Sequence, residues 1–241
     1  MNIVIVQTGA IGDIVIALPI AHWYYKKGHR VFWPVDSTFI SFLTYAAPYV
    51  NFLTVDVHHF PKNTYNYFIG APLAYASQLK ADKTFILYSQ MGGYQLEHRD
   101  IATSLKFDEY KYAVTEVPFR EKWNLQIRRN EEGEKNLLQR LDNKRPFCIL
   151  HERGGEGSNF HKALAHLYDP STFGNHVFIE NLTSSPFDWI AAFEQAKTIA
   201  VIDSLHANVI EQLKINTTKY LHTRSPALFT PVFMEGWHFR G

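Results

Sequence analysis

Residues 7–27 read QTGAIGDIVIALPIAHWYYKK and directly follow a β-branched run at residues 3–6. Gly9 and Gly12 allow the backbone to turn sharply there and to approach a ligand closely. Asp13 opens a long helical pattern, where a helix N-terminus offers unpaired N–H groups and the positive end of its dipole. In an α/β sheet this place is the carboxyl edge of the first strand, where ligands usually bind. The spacing supports equally a ligand-facing role for Asp13 and a role as a helix cap.

The rest of the chain repeats this alternation of short apolar runs and helical patterns, which favours parallel sheets covered on both faces. The predicted strands are 3–6, 30–35, 51–55, 65–69, 84–88, 146–151, 176–180, 199–202 and 219–222. The predicted helices are 13–27, 37–47, 71–79, 95–105, 186–196 and 206–213, and Pro19 should bend or restart the first. Residues 110–117 are interpreted as a further strand or a crossing segment.

A charged stretch with a helical period, residues 119–145, separates the two runs of alternation, and Gly133 is expected to break it. The sequence therefore predicts an N-terminal Rossmann-like domain at residues 1–118, a helical connector at 119–145 and a C-terminal Rossmann-like domain at 146–241. The fold class is α/β, with mainly parallel sheets.

The composition is that of a globular protein with a sizeable core. Of 241 residues, 46% are hydrophobic and 20% are charged. The net charge of +1 gives no global field that attracts nucleic acid or a membrane surface. The start lacks the basic region of a signal peptide, no stretch is apolar enough to span a bilayer, and a single cysteine, Cys148, forms no internal disulfide. A soluble, cytoplasmic protein is expected.

Three polar stretches in the second half follow predicted strands, as the opening motif does. A glycine-rich loop with Arg153, Gly154 and Gly155 presents N–H groups and a guanidinium to phosphates. Lys162 adds a contact for a phosphate or a sugar. The third stretch contains Asp203, Ser204 and His206 and opens a helix whose N-terminus is an anion site. Together they predict a site for nucleotide phosphates.

The two ends of the chain resemble the heptosyltransferase family, the lipopolysaccharide-core branch of the GT-B glycosyltransferases. The opening strand, the turn ending in Gly12-Asp13 and the helix running into Leu18-Pro19 are similar to the family's start. Asp203-Ser204 with His206 is similar to the family's stretch that faces the nucleotide sugar, although Leu205 stands where a glycine is usual and His206 comes early. The resemblance implies a divergent, shortened GT-B fold of two facing Rossmann-like domains, with the donor bound mainly by the second.

The same resemblance implies a glycosyl transfer in which Asp13 is the general base that removes the proton of the acceptor hydroxyl. The departing diphosphate needs cations or oriented N–H groups, which the second half offers. No Asp-x-Asp motif is present, so a metal-independent reaction is expected. The resemblance implies an inverting transfer with the nucleotide sugar as co-substrate and no cofactor. The histidines of the Asp56–His59 stretch alternate in direction along a strand, and a structural or surface role is favoured over metal ligation.

Several alternatives stay open. The acceptor is a saccharide or glycolipid, or a hydroxymethylated base in DNA as in bacteriophage glycosyltransferases, whose aromatic and cationic groups would come from residues 120–129. The commoner explanation of that charged stretch is a solvated helix face. A nicotinamide-dependent oxidoreductase would use Gly9, Gly12 and Asp36 as part of a dinucleotide fingerprint. A non-catalytic binder of nucleotides or sugars is the remaining alternative.

Overall fold

The protein folds into two compact α/β units. The computed structural model describes residues 1–61, 64–89, 99–141, 147–151, 174–223, 230–234 and 236–240. Unit 1 comprises Met1–Arg128 and unit 2 comprises Arg129–Gly241. The division falls inside the stretch that the sequence assigns to a connector: the 3-10 helix Phe119–Trp123 belongs to unit 1, and the helix Glu131–Leu141 belongs to unit 2.

Among its described residues, unit 1 contains a parallel sheet in the order β3-β2-β1-β4. Its strands are β1 (Asn2–Val6), β2 (Arg30–Asp36), β3 (Asn51–Val55) and β4 (Lys83–Ile86). The β1 side chains from Ile3 to Val6 are fully buried, as expected for a strand covered on both faces. Because the chain moves from β1 to β2 on one side and to β4 on the other, the carboxyl end of β1 is a topological switch point.

Five helices of unit 1 pack around this sheet. They are α1 (Ile11–Lys26), α2 (Ile40–Ala46), α3 (Ala71–Ala76), α4 (Arg99–Ser104) and α5 (Phe107–Val114). Short 3-10 turns precede α2 (Ser37–Phe39) and follow α3 (Ser77–Leu79), and a π-helical turn, Asn66–Gly70, leads into α3. Helix α1 runs through Pro19 as one element and does not restart near residue 18.

Among the described residues of unit 2, a second parallel sheet has the order β6-β5-β7-β8-β9. Its strands are β5 (Cys148–His151), β6 (His176–Phe178), β7 (Thr198–Ile202), β8 (Thr218–His222) and β9 (Trp237–Arg240). The helices described are α6 (Glu131–Leu141), α7 (Ile190–Gln195), preceded by a 3-10 turn at Pro186–Trp189, and α8 (Leu205–Gln212). The switch point here lies between β5 and β7, where the chain changes direction along the sheet.

Two sequence predictions in unit 1 are wrong. Residues 65–69 are not a strand, because they form the π-helical turn, in which the Phe68 amide donates to the Thr64 carbonyl over 3.1 Å. Residues 110–117 are neither a strand nor a crossing segment, since α5 covers most of them. In both stretches a run of aromatic residues suggests a strand, but helical turns bury the rings of Tyr67, Tyr110 and Tyr112.

Gly133 does not break the charged stretch but lies within α6. A Cβ atom at this position would lie 2.3 Å from the Asn130 amide nitrogen and 2.7 Å from the Asp188 carboxyl. The Asn130 side chain accepts from the Gly133 N–H over 3.2 Å and donates to Asp188 over 3.1 Å, so it caps α6 and ties the helix to the turn at 186–189. A side chain at this position would displace Asn130 and Asp188, so close packing favours glycine here. None of the helices in the described part of the chain is long and apolar enough to cross a membrane.

Candidate active site

The loop between β1 and α1 holds Asp13 at the switch point of unit 1. Helix α1 begins at Ile11, so Asp13 is its third residue, and the N-cap position belongs to Ala10, whose side chain makes no cap. The prediction that Asp13 itself starts the helix is therefore off by two residues, and its interpretation as the N-cap is wrong. Its carboxylate lies in the first turn, near the positive end of the helix dipole, and its side chain is 27% exposed.

The sharp turn before α1 is made by a non-glycine residue. Ala10 has φ 60° and ψ 85°, a left-handed conformation that is rare without glycine and is often found at functional sites. Gly9 serves another purpose, since a Cβ there would lie 3.0 Å from the Phe68 ring and 3.2 Å from the Tyr67 ring. Gly12 is the second residue of α1. The expectation that glycines make the turn is therefore wrong, because Ala10 makes it, and the close approach at Gly9 is to the Phe68 and Tyr67 rings. The approach of a ligand to this loop stays a prediction.

A buried lysine that sequence reasoning missed is the partner of Asp13. Lys111 of α5 lies with its Nζ 3.3 Å from Asp13 Oδ1, and its side chain is 3% exposed. Its ammonium also donates to Gln7 Oε1 over 2.7 Å and to the Leu87 carbonyl over 3.0 Å. Lys111 was not identified because residues 110–117 were interpreted as a strand or a crossing segment. The sequence signal that could have identified it is a lysine placed between two tyrosines, both of which are buried in α5.

Tyr88 fixes the loop from the other side. Its hydroxyl accepts hydrogen bonds from the backbone amides of Thr8, over 2.9 Å, and Gly9, over 3.2 Å. Complete burial raises the pKa of Tyr88 far above its ordinary value, so the phenol stays neutral. The Thr8 hydroxyl donates to the Phe68 carbonyl over 3.0 Å. The loop that precedes Asp13 is thus held by Tyr88, which follows β4, and by the π-helical turn.

Asp36 ends β2 beside this loop, and both of its carboxylate oxygens are occupied. Oδ1 accepts from the amide and the hydroxyl of Thr38, and Oδ2 accepts from the Tyr67 hydroxyl over 2.8 Å. Burial acts to raise the pKa of Asp36, but these hydrogen bonds and the nearby His58 outweigh it, and the pKa is lowered. These contacts tie Asp36 to the turn after β2 and to the π-helical turn, and they give it a structural role that does not depend on a ribose hydroxyl.

In unit 2 the structure brings together Ser204 and His206, and it adds His151. Asp203 and Ser204 follow β7, and α8 begins at Leu205. The Ser204 hydroxyl does not cap α8 but lies 3.0 Å from His151 Nδ1, at the end of β5. The Asp203 amide donates to the His222 carbonyl over 3.1 Å. The cluster therefore sits at the switch point of the second sheet, with the first amides of α8 beside it.

His206 is buried in this cluster, and neither of its ring nitrogens has a hydrogen-bond partner among the residues that the structure describes. Its ring lies 4.8 Å from that of His151 and 5.8 Å from that of Phe193. Burial, together with the neighbouring His151, lowers the pKa of His206 well below its ordinary range, so the ring is neutral near pH 7. Two unpaired ring nitrogens at a helix N-terminus are suited to hydrogen bonds with a polar ligand. Arg153, Gly154, Gly155 and Lys162 lie outside the described residues.

Three of the four cations at residues 120–129 are held in contacts within the protein, whereas the Arg120 side chain is 82% exposed. Lys122 is fully buried and pairs with Asp108, which corrects the expectation of a solvated helix face at that position. Arg128 donates to the Tyr45 carbonyl and stacks 4.0 Å from its ring. Arg129 donates to Glu134 and Glu194. Within the described residues, this stretch gives no support to a DNA-binding role.

The two parallel sheets and the position of the loop after β1 define a GT-B-like α/β protein, which confirms the fold class predicted from the sequence. Neither protein-family models nor curated protein sequences give a match to this chain. Solved structures do. A glycosyl transferase of family 9 from Veillonella parvula DSM 2008 is similar with a TM-score of 0.61 and 12% identity, over 99% of this chain and 86% of that one.

Two further solved structures show the same likeness. An ADP-heptose lipopolysaccharide heptosyltransferase II from E. coli has a TM-score of 0.60 and 10% identity, over 100% of this chain and 90% of that one. The iron-containing dodecameric glycosyltransferase TibC from enterotoxigenic E. coli has a TM-score of 0.56 and 13% identity, over 100% of this chain and 62% of that one. At these identities the likeness establishes the fold. The resemblance to heptosyltransferases that the sequence motifs indicate is confirmed at that level.

Proposed function

We propose that this protein transfers a sugar from a nucleotide-sugar donor to an acceptor hydroxyl, with inversion and without a metal ion, and that Asp13 is the general base. The observation that carries the proposal is the partly exposed carboxylate of Asp13 in the first turn of α1, at the switch point of a glycosyltransferase fold. A base must reach the proton that it removes, and this carboxylate is accessible while its surroundings are fixed by buried contacts.

The reaction forms one bond and breaks another at the anomeric carbon. As the acceptor oxygen attacks that carbon, its proton passes to Asp13. The bond from the anomeric carbon to the diphosphate breaks, and its electron pair leaves on the diphosphate oxygen. An aspartate is a weak base, but the attacking oxygen becomes acidic as it bonds to carbon, so late proton transfer suits it.

Unit 2 would hold the donor. The first amides of α8 are not capped by Ser204 and offer N–H groups to the leaving diphosphate. The unpaired nitrogens of His206 would add hydrogen bonds to the donor. Arg153, Lys162 and the loop with Gly154 and Gly155 would add positive charge and further N–H groups, as the sequence suggests. Asp203 would fix the start of α8.

The names of similar structures suggest where to begin the search for the donor. One of them is an ADP-heptose-dependent enzyme by its name, so ADP-sugars are the first donors to test. For the acceptor, a saccharide or glycolipid hydroxyl is preferred over DNA, because three of the four cations at residues 120–129 are engaged in contacts within the protein.

Melting curves with single nucleotides test the proposal. At a hundred times its dissociation constant, the correct nucleoside diphosphate raises the free energy of unfolding by about 2.7 kcal/mol. We expect a shift with one of ADP, UDP, GDP or CDP, release of that diphosphate from its sugar conjugate, and no effect of EDTA on turnover. A shift with NAD and with none of the four diphosphates would contradict the proposal.

A further inference from the structure

We infer that Lys111 is a positioning residue for the transfer reaction: it holds the Asp13 carboxylate in the geometry that proton removal needs. This inference rests on the proposed function, since it concerns the base of that reaction. Lys111 cannot meet a substrate itself, because its side chain is 3% exposed. Any effect on the reaction must therefore pass through the groups that it touches.

The contacts of Lys111 join three elements of unit 1. An ammonium has three N–H donors. Two of them meet Gln7 Oε1, 2.7 Å away just after β1, and the Leu87 carbonyl, 3.0 Å away just after β4. The third side of the ammonium faces Asp13 Oδ1 in α1 at 3.3 Å. Helix α5 thus fixes the start of α1 relative to the carboxyl edge of the sheet.

Charge explains why this contact is specific. A buried ammonium needs an opposite charge, because neutral acceptors alone do not replace its hydration. Gln7 and the Leu87 carbonyl are neutral, and within the described part of the chain Asp13 is the only ion-pair partner of Lys111. The pair therefore limits rotation of the carboxylate. Asp13 Oδ2 accepts no hydrogen bond from a described residue and is left for the acceptor hydroxyl.

The Gln7 side chain extends the same arrangement to the loop. Its Nε2 donates to the Gly9 carbonyl over 3.1 Å, while its Oε1 accepts from Lys111. The Gln7 carbonyl accepts from the indole of Trp33 over 3.1 Å. Lys111 consequently fixes both the carboxylate and the loop that precedes it, through groups that are themselves buried.

A double-mutant cycle on activity tests the inference. The substitutions are Lys111→Met, which keeps the length and removes the charge, and Asp13→Asn, alone and together. The readout is release of nucleoside diphosphate from nucleotide-sugar conjugates of ADP, UDP, GDP and CDP. We expect Lys111→Met to lower kcat by about tenfold to a hundredfold, the effect of a misplaced catalytic group, and to leave KM for the donor within about twofold. In the Asp13→Asn background, the same substitution should change the residual rate by less than about threefold.

Tyr112→Phe is the matched control. Tyr112 is the neighbour of Lys111 in α5, and its buried hydroxyl donates to the Ile16 carbonyl of α1 over 2.8 Å. Its loss loosens the same pair of helices without touching Asp13. Tyr112→Phe should leave kcat within about twofold, since Lys111 contacts the base and the Tyr112 hydroxyl bonds to the Ile16 carbonyl instead.

The possible outcomes separate the inference from the proposed function. Three results would each overturn the positioning role. One is an unchanged or higher kcat in Lys111→Met, and another is an equal loss of kcat in Lys111→Met and Tyr112→Phe. The third is that Lys111→Met lowers the rate in the Asp13→Asn background as much as it does in the native protein. In those cases the proposed function stands if Asp13→Asn is inactive. Normal turnover of Asp13→Asn, or no cleavage of any donor by the native protein, would overturn both.

Discussion

The buried pair of Lys122 and Asp108 provides the sharpest prediction about stability. Lys122 Nζ lies 2.7 Å from Asp108 Oδ2, and both side chains are 0% exposed. Removing one member of a fully buried pair takes the counter-charge away from the other in a place that water does not reach, which costs about 3–5 kcal/mol. We therefore expect Lys122→Met to lower the free energy of unfolding of unit 1 by about 3–5 kcal/mol. Methionine keeps most of the packing against the rings of Phe119 and Trp123.

Hydrogen exchange of peptides from β1 and β2 measures this loss within unit 1, and peptides from β7 serve as an internal reference in unit 2. Arg120→Met is the control, because Arg120 lies in the same 3-10 helix with a side chain that is 82% exposed, and its loss should cost less than about 0.5 kcal/mol. The double variant Asp108→Leu/Lys122→Met should recover most of the stability, since an apolar pair needs no desolvation of charge. A loss below about 1 kcal/mol in Lys122→Met, or no recovery in the double variant, would refute the reasoning.

Three further predictions concern other parts of the chain. Glu211→Gln should destabilise unit 2 by about 2–3 kcal/mol in urea unfolding. The two carboxylate oxygens of Glu211 accept from the Trp237 indole and from a backbone amide, and the amide nitrogen of glutamine would face one of these donors. Equal stability of the variant and the native protein would contradict this prediction. The lowered pKa of His206 keeps its ring neutral in the folded protein, whereas the same ring in the unfolded chain binds a proton as the pH falls below 6.5. The free energy of unfolding therefore decreases as the pH is lowered through this range. His206→Leu should flatten this slope in unfolding curves at about pH 7.5 and about pH 5.5, and an unchanged slope would refute the assignment. Gly9→Ala should cost about 1–3 kcal/mol by overpacking against the Phe68 ring, as measured by melting temperature, and a neutral effect would show that the ring gives way freely.

The strands that decide the fold could be predicted from the sequence because they are short, β-branched and fully buried. The runs that became β1 and β7 contain apolar side chains at consecutive positions, a pattern that suits a parallel strand covered on both faces. The opening motif also placed Asp13 within two residues of its position in α1. Periodicity and turn chemistry carry this much information without tertiary contacts.

What could not be predicted depends on partners far away in sequence. Lys111 contacts Gln7 across 104 positions, so no local pattern reveals its role. The same is true of Gly133, whose neighbour Asp188 lies 55 positions further along the chain. Strand β9 was missed because its pattern is weak, and its start is fixed by the hydrogen bond that the Trp237 indole donates to Glu211. Tertiary contacts override local preference at these places.

The base assigned to Asp13 is tested most directly by the turnover of Asp13→Asn. Asparagine keeps the size of the side chain and an oxygen that accepts from Lys111, but it removes the charge opposite the buried ammonium. We therefore expect a stability loss of up to about 3 kcal/mol and unchanged donor affinity. Turnover should fall by roughly a hundredfold to ten-thousandfold, because the proton acceptor is gone. Glu131→Gln is the control, since it removes a carboxylate from the first turn of α6, and it should leave turnover unchanged. A folded Asp13→Asn variant with near-normal turnover would show that another group is the base.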